Sequence, residues 1–286
     1  MVDGKASPSV QGFTLLEALI AMVLSSVVVM LVTSVFVVQN RFYSQVVNRA
    51  SLHESVRTAA ALVSSDLRGL ASGGVVAAEP DSVVIRAPLA MGVVCGVDQR
   101  KAYVFLPLGG SAFRADEVSG YGLRDAAGSW SYTSAEWSSV HRASGPGPAG
   151  VCAGVGAEVE GVSEDFHRLD DLAGSGALKV GDMVMVFQER VLKIGVSALD
   201  PSSKAIYRGR PGGTLAEVAT GLSEESGFWY GTPAEQGLRR WVRGRGNLEG
   251  VNKIQFVAAG AAPSGRLGVS PSTFQLTVTV PPKNVR

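Results

Sequence analysis

Across residues 13–38, Glu17 is the only ionisable side chain in an otherwise uncharged, largely apolar run. A helix over that run is about 39 Å long, more than the roughly 30 Å hydrocarbon core of a bilayer. A carboxylate carried to the middle of such a bilayer costs about 2.5–3.5 kcal/mol, so a compensating partner is expected. The chemistry this residue offers is ion pairing, and the identity of the opposite charge becomes the central question.

Other residue types capable of chemistry are scattered. Cys95 and Cys152 are compatible with one disulfide in an oxidising compartment; the alternative is two buried thiols. No C-x-x-C spacing points to zinc or redox exchange. His53, His141 and His167 are isolated in sequence and lack metal-ligand spacing. No G-x-S-x-G elbow is present. Gly145-Pro146-Gly147-Pro148-Ala149-Gly150 fits G-x-G-x-x-G formally, but its prolines and the lack of a following helix make it a loop. Glu164, Asp165, Asp170 and Asp171 could bind calcium, yet they show no ligand spacing and read as a solvated face. The basic, aromatic-containing cluster is Arg239-Arg240-Trp241-Val242-Arg243-Gly244-Arg245. Alternation puts Arg239, Trp241 and Arg243 on one strand face, where they could hold a phosphate backbone and stack a base, or be ordinary solvated or subunit-contact residues. With 26 basic and 25 acidic residues, net charge +1, no global field favours nucleic acid as partner.

The elements that must position these residues begin with one helix. Residues 39–68 contain neither Gly nor Pro, and Val56, Ala60, Val63, Leu67 and Leu70 repeat every three or four positions as one apolar stripe. Arg49, Glu54, Arg57 and Arg68 fall mostly off it. The spacing predicts a helix over 13–69, apolar all round through residue 38 and amphipathic beyond, ended by Gly69 and the Gly73-Gly74 pair. After it, strands are expected at 82–86, 102–106, 183–187, 191–196, 238–243, 253–257 and 274–280. The segment 183–187 is apolar throughout and reads as a central strand, with 191–196 as its hairpin partner. Long Gly-rich stretches, 109–180 and 201–236, read as loops; Gly is 35 of 286 residues, about 12% against an average near 7%. One long helix followed by many strands, without βαβ alternation, is an α+β pattern. Residues 1–12 are short and polar and read as a leader, leaving 70–286 as a β-rich globular domain.

Gly12-Phe13-Thr14-Leu15-Leu16-Glu17, followed by some twenty apolar residues, resembles the class III signal of type IV pilins and type II secretion pseudopilins. That resemblance implies a pilin-like fold, a long N-terminal helix packed on an antiparallel sheet domain. It implies cleavage between Gly12 and Phe13 by prepilin peptidase, N-methylation of Phe13, and Glu17 at the fifth mature position. The new amine on Phe13 lies four residues before Glu17, on the same helix face. In the family, the amine of a neighbouring subunit is the proposed partner of that carboxylate. The usual basic residue close to the Gly is absent here; Lys5 is the nearest.

The order of the later segments, Gly181-Asp182 before an apolar strand, Leu238-Arg239-Arg240, and Leu248-Glu249-Gly250-Val251 leading into Ile254-Gln255-Phe256, also resembles PilW-like minor pilins. With no catalytic or metal-ligand constellation in the sequence, no cofactor, catalytic residue or metal is expected. The partners implied by the resemblance are other minor pilins, the major pilin, prepilin peptidase and the inner-membrane assembly machinery. It implies a cytoplasmic leader and a periplasmic domain, extracellular once assembled, and a disulfide between Cys95 and Cys152 suits that compartment. A count of positive charges alone, Lys5 against Arg41, Arg49 and Arg57, favours the opposite orientation. The alternatives are a J-type pseudopilin, a pilus-tip adhesion or DNA-uptake module, and a membrane-anchored enzyme that only borrows the leader.

Overall fold

The computed structural model describes residues 14–98, 101–108, 117–124, 128–134, 140–142, 166–169, 179–231, 237–239, 251, 253–261 and 273–280. The first element is α1 (Leu15–Arg68), 54 residues or about 81 Å at the standard rise. With no Gly or Pro from Thr14 to Arg68, nothing interrupts it. Ser26, Thr33 and Ser34 donate their hydroxyls to the carbonyls of Val23, Val29 and Leu31 at 2.7, 2.8 and 2.7 Å, so these three hydroxyls on the apolar run are paired within the helix. Gly69 caps the helix with φ −81°, not in the left-handed region. Its glycine is required by packing, since a Cβ there would lie 2.8 Å from Pro88 Cγ.

The remainder is an antiparallel sheet: β1 (Val75–Ala78), β2 (Ser82–Asp98), β3 (Lys101–Leu108), β4 (Gly120–Arg124), β5 (Trp130–Ser134), β6 (Val140–Arg142), β7 (Phe166–Leu169), β8 (Met183–Val196), β9 (Lys204–Gly209), β10 (Ala216–Leu222), β11 (Gly227–Gly231), β12 (Lys253–Ala261) and β13 (Thr273–Val280). This is the α+β, type IV pilin-like architecture that the sequence implied.

Two long strands form the spine. β2 and β8 pair from Ser82↔Lys193 to Val93↔Met183. The outer edge of each is shared: β1 and then β3 along β2, β4 and then β9 along β8. Along β8, Val184 and Val186 enter one apolar cluster with Val94, Val104, Leu106 and Tyr121, while Leu192 and Ile194 enter a second under the helix. All four share one face by alternation, with Gln188 and Arg190 between them. In β2 the matching residues are Val83, Ile85 and Ala87, then Ala90 and Val94, a change of parity. A register shift between Pro88 and Ala90 absorbs it, so one extra residue keeps both apolar sets on the same face.

The second half of α1 lays Leu52, Val56, Ala59, Ala60, Val63 and Leu67 over β10, β12 and β13. Each fully buried Val or Leu contributes roughly 1.5–3 kcal/mol. The helix crosses β12 at Gly260, where a Cβ would lie 2.8 Å from Val56 Cγ2 and would collide with Leu52.

Two expectations are corrected. Residues 183–187 and 191–196 are not hairpin partners but the two halves of β8. The polar residues 188–190 mark where the strand changes neighbour, from β4 to β9, and Glu189 N–H is satisfied by Ser119 Oγ at 2.9 Å. The stretches 109–180 and 201–236 are not simply loops: the first contains β4 to β7 and the second β9 to β11. Their short strands pair with segments distant in the chain, so little local periodicity marks them. Gly120 is a case in point, because a Cβ there would meet Phe187 Cζ at 2.8 Å.

Candidate assembly site at the head of the long helix

Thr14 is the N-cap of α1, with φ −77° and ψ 150°, and Glu17 N–H donates to its Oγ1 at 3.3 Å. Ala18 N–H donates to Thr14 O at 3.2 Å, closing the first helical turn. Thr14-Leu15-Leu16-Glu17 thus has the S/T-x-x-E form of a capping box, a helix-start signal that the sequence carries inside the leader motif. The cap places the Glu17 carboxylate in the first turn, where it and the positive end of the helix dipole attract. Glu17 is exposed, as are Leu15, Leu16, Leu19 and Ile20 around it. The structure therefore presents one carboxylate on an uncovered apolar rod that is long and apolar enough to cross a membrane by length and composition. Gly12 and Phe13 lie outside the described residues.

At the other end of α1, Asp66 is buried in the last turn and accepts from Arg190 Nη1 at 2.7 Å and from Arg208. An acid at a helix C-terminus is disfavoured by the dipole, which is the sequence signal that could have marked it as paired. On the opposite sheet face, Arg86 stacks 4.4 Å from the Tyr132 ring centroid and donates through Nη1 to Gly73 O at 2.9 Å. Tyr132 Oη donates to Ser72 O at 2.8 Å; burial pushes its pKa up to about 12, partly offset by Arg86. The turn after α1 is thus gripped by β2 and β5. These clusters join elements. Glu217 behaves similarly: its carboxylate is held below the usual range chiefly by the Ser197 hydroxyl, and it also accepts from Ala198 N–H and Tyr207 Oη.

Of the other expected site residues, Cys95 is buried in β2, while Cys152 lies outside the described residues. Arg239 is exposed and its backbone pairs with Tyr230 in both directions, at 2.7 and 2.8 Å. Arg240, Trp241 and Arg243 lie outside the described residues, as do the acidic residues 164, 165, 170 and 171 and the Gly-Pro run at 145–150. His53 is on the exposed part of α1, and the backbones of His141 and His167 sit on the neighbouring strands β6 and β7.

Residues 8–33 match the family described as the prokaryotic N-terminal methylation motif. Comparison of the chain with curated proteins and with solved structures gave no match. The methylation motif, together with the exposed apolar helix behind it, supports anchoring in the membrane through the N-terminus. It supports the type IV pilin and pseudopilin class, whose leader is processed by prepilin peptidase and whose subunits assemble on dedicated machinery.

Proposed function

We propose that this chain is a minor, PilW-like pilin, a structural subunit that helps initiate a type IV pilus and sits at or near its tip. The observation carrying the reading is the junction of a methylation motif with a capped, uncovered apolar helix bearing one carboxylate. Cleavage after Gly12 and methylation of Phe13 would release an amine, and Glu17 would neutralise the amine of an adjacent subunit as apolar helices pack side by side. Opposite charges within about 4–6 Å attract strongly in such surroundings. The leader would stay cytoplasmic and the sheet domain would lie in the periplasm until assembly carries it outside.

Gly181, at φ +97°, opens β8 and donates its N–H to Val94 O at 2.8 Å, so the Gly181-Asp182 pair has a conformational role in starting the spine strand. That supports, without being specific to, the PilW-like segment order. Mass spectrometry of the mature N-terminus tests the core of the proposal. A methylated Phe13 is expected in cells with prepilin peptidase, and an intact leader in cells lacking it. A leader retained in both would overturn it.

A J-type pseudopilin of a type II secretion system is the second reading, since the same motif serves both assemblies. Loss of pili on deletion favours the first, loss of exoprotein export the second. The exposed Arg239 keeps a DNA-uptake role testable: salt-sensitive binding of the full chain in detergent, lost in R239A/R243A, supports it.

A further inference from the structure

The apolar surface of α1 continues past the bilayer-length run. Phe42 and Tyr43 are each 68% exposed, and Val46 and Val47 are 47% and 45% exposed. At about 100° per residue, these four and Ala50 share one side of the helix. The docking residues Leu52, Val56, Ala60, Val63 and Leu67 point about 120° away from that side, so the sheet domain does not cover the stripe. Arg41, Ser44, Gln45 and Asn48 occupy the side opposite it, with Asn40 and Arg49 at the borders. Arg41 and Arg49 are the only charged residues between Glu17 and Glu54. This is the make-up of an interfacial helix: aromatic and apolar on one side, cationic and polar on the other, with low total charge.

We infer that, before assembly, residues 41–47 lie in the headgroup layer of an anionic phospholipid bilayer, as an extension of the spanning segment. The occupant of the stripe is lipid, on three grounds. The stripe is continuous with the apolar helix already exposed from Leu15 to Val38. Phe42 and Tyr43 fall just beyond the hydrocarbon-length run, at the depth where aromatic side chains collect. Arg41 and Arg49 can reach anionic headgroups by extending their stems. Leu15 to Val47 is about 50 Å long, whereas the hydrocarbon core and one headgroup layer together are about 37 Å thick. A straight helix fits if it leans by about 40°, the upper end of the range for spanning helices. Leaning toward the stripe turns the sheet domain away from the lipid, because the two lie on different sides of α1.

The inference rests on membrane anchoring through α1, and the experiment separates the two. The full chain is reconstituted in vesicles of phosphatidylcholine, with or without phosphatidylglycerol. Fluorescence quenching by brominated lipids is measured for Y43W, V46W and V28W, each less the parent signal. V28W should be quenched best by bromine deep in the chains; its failure to be quenched would remove the anchoring itself. Y43W and V46W should be quenched by bromine near the headgroup about twofold more than by deep bromine, and more strongly with phosphatidylglycerol. That anionic preference should vanish in R41Q/R49Q. Quenched V28W beside unquenched Y43W and V46W would overturn the inference, showing a stalk in water. A blue-shifted, unquenched Y43W signal that grows with protein density would overturn it in favour of a second copy.

Discussion

Asp66 accepts one edge of the Arg208 guanidinium bidentately, Nε to Oδ2 at 2.9 Å and Nη2 to Oδ1 at 2.9 Å. Arg190 adds its own bond, so one buried carboxylate on the helix answers two cations on neighbouring strands. Removing the carboxylate leaves both guanidiniums facing each other without compensation. D66A should therefore cost about 2–4 kcal/mol. R208A should cost about 1 kcal/mol, because its side chain is a third exposed and Arg190 remains. Urea unfolding of the full chain in detergent, followed by Trp fluorescence, measures both; equal small losses would show the cluster to be dispensable.

Gly260 lets α1 approach β12, with Leu52 and Val56 above it. G260A should destabilise by about 1–3 kcal/mol through overpacking. Trimming the obstacle with L52A in the same chain should recover part of that loss, giving a non-additive double-mutant cycle. Strict additivity would mean that the two residues do not meet.

Tyr132 has its pKa raised from 10.0 to about 12, first by burial. A raised folded pKa means that the fold holds the neutral phenol, so this contribution is complete below pH 10. It is lost as pH rises from 10 through about 12. Phenolate absorbance should show part of the tyrosine signal titrating late, and Y132F should reduce that part without abolishing it, because Tyr207 and Tyr230 are shifted up as well. Y132F should also lower stability by about 1 kcal/mol, as the hydrogen bond to Ser72 O goes.

Glu17 carries the assembly prediction. E17A should leave membrane insertion and leader cleavage intact and impair incorporation into filaments, read by immunoblotting sheared surface fractions beside membranes. Normal incorporation would sink the pairing mechanism.

Cys95 is buried in β2, and a bond to Cys152 is expected for a domain delivered to an oxidising compartment. Peptide mapping without reduction should recover the two cysteines in one cross-linked species. C95A should cost roughly 2–4 kcal/mol if that bond closes the loop between them. Two separately alkylated thiols would disprove the pairing.

What could be read from the sequence was whatever one segment declares by itself. The run behind Gly12-Phe13-Thr14-Leu15-Leu16-Glu17 is helical because it lacks Gly and Pro, and exposed because nothing amphipathic directs it to a core. The stripe from Val56 to Leu70 is buried as its three-and-four spacing predicts, and β8 opens with the apolar central segment expected of it. Tertiary structure decided the rest. Gln188, Glu189 and Arg190 look like a turn until β4 and β9 are seen to share one edge of β8. Asp66 looks like a surface acid until Arg190 and Arg208, more than a hundred residues away in sequence, close on it. Helical periodicity is local and written every few positions. Strand neighbours and buried ion pairs join distant segments, and no short stretch of sequence holds both partners.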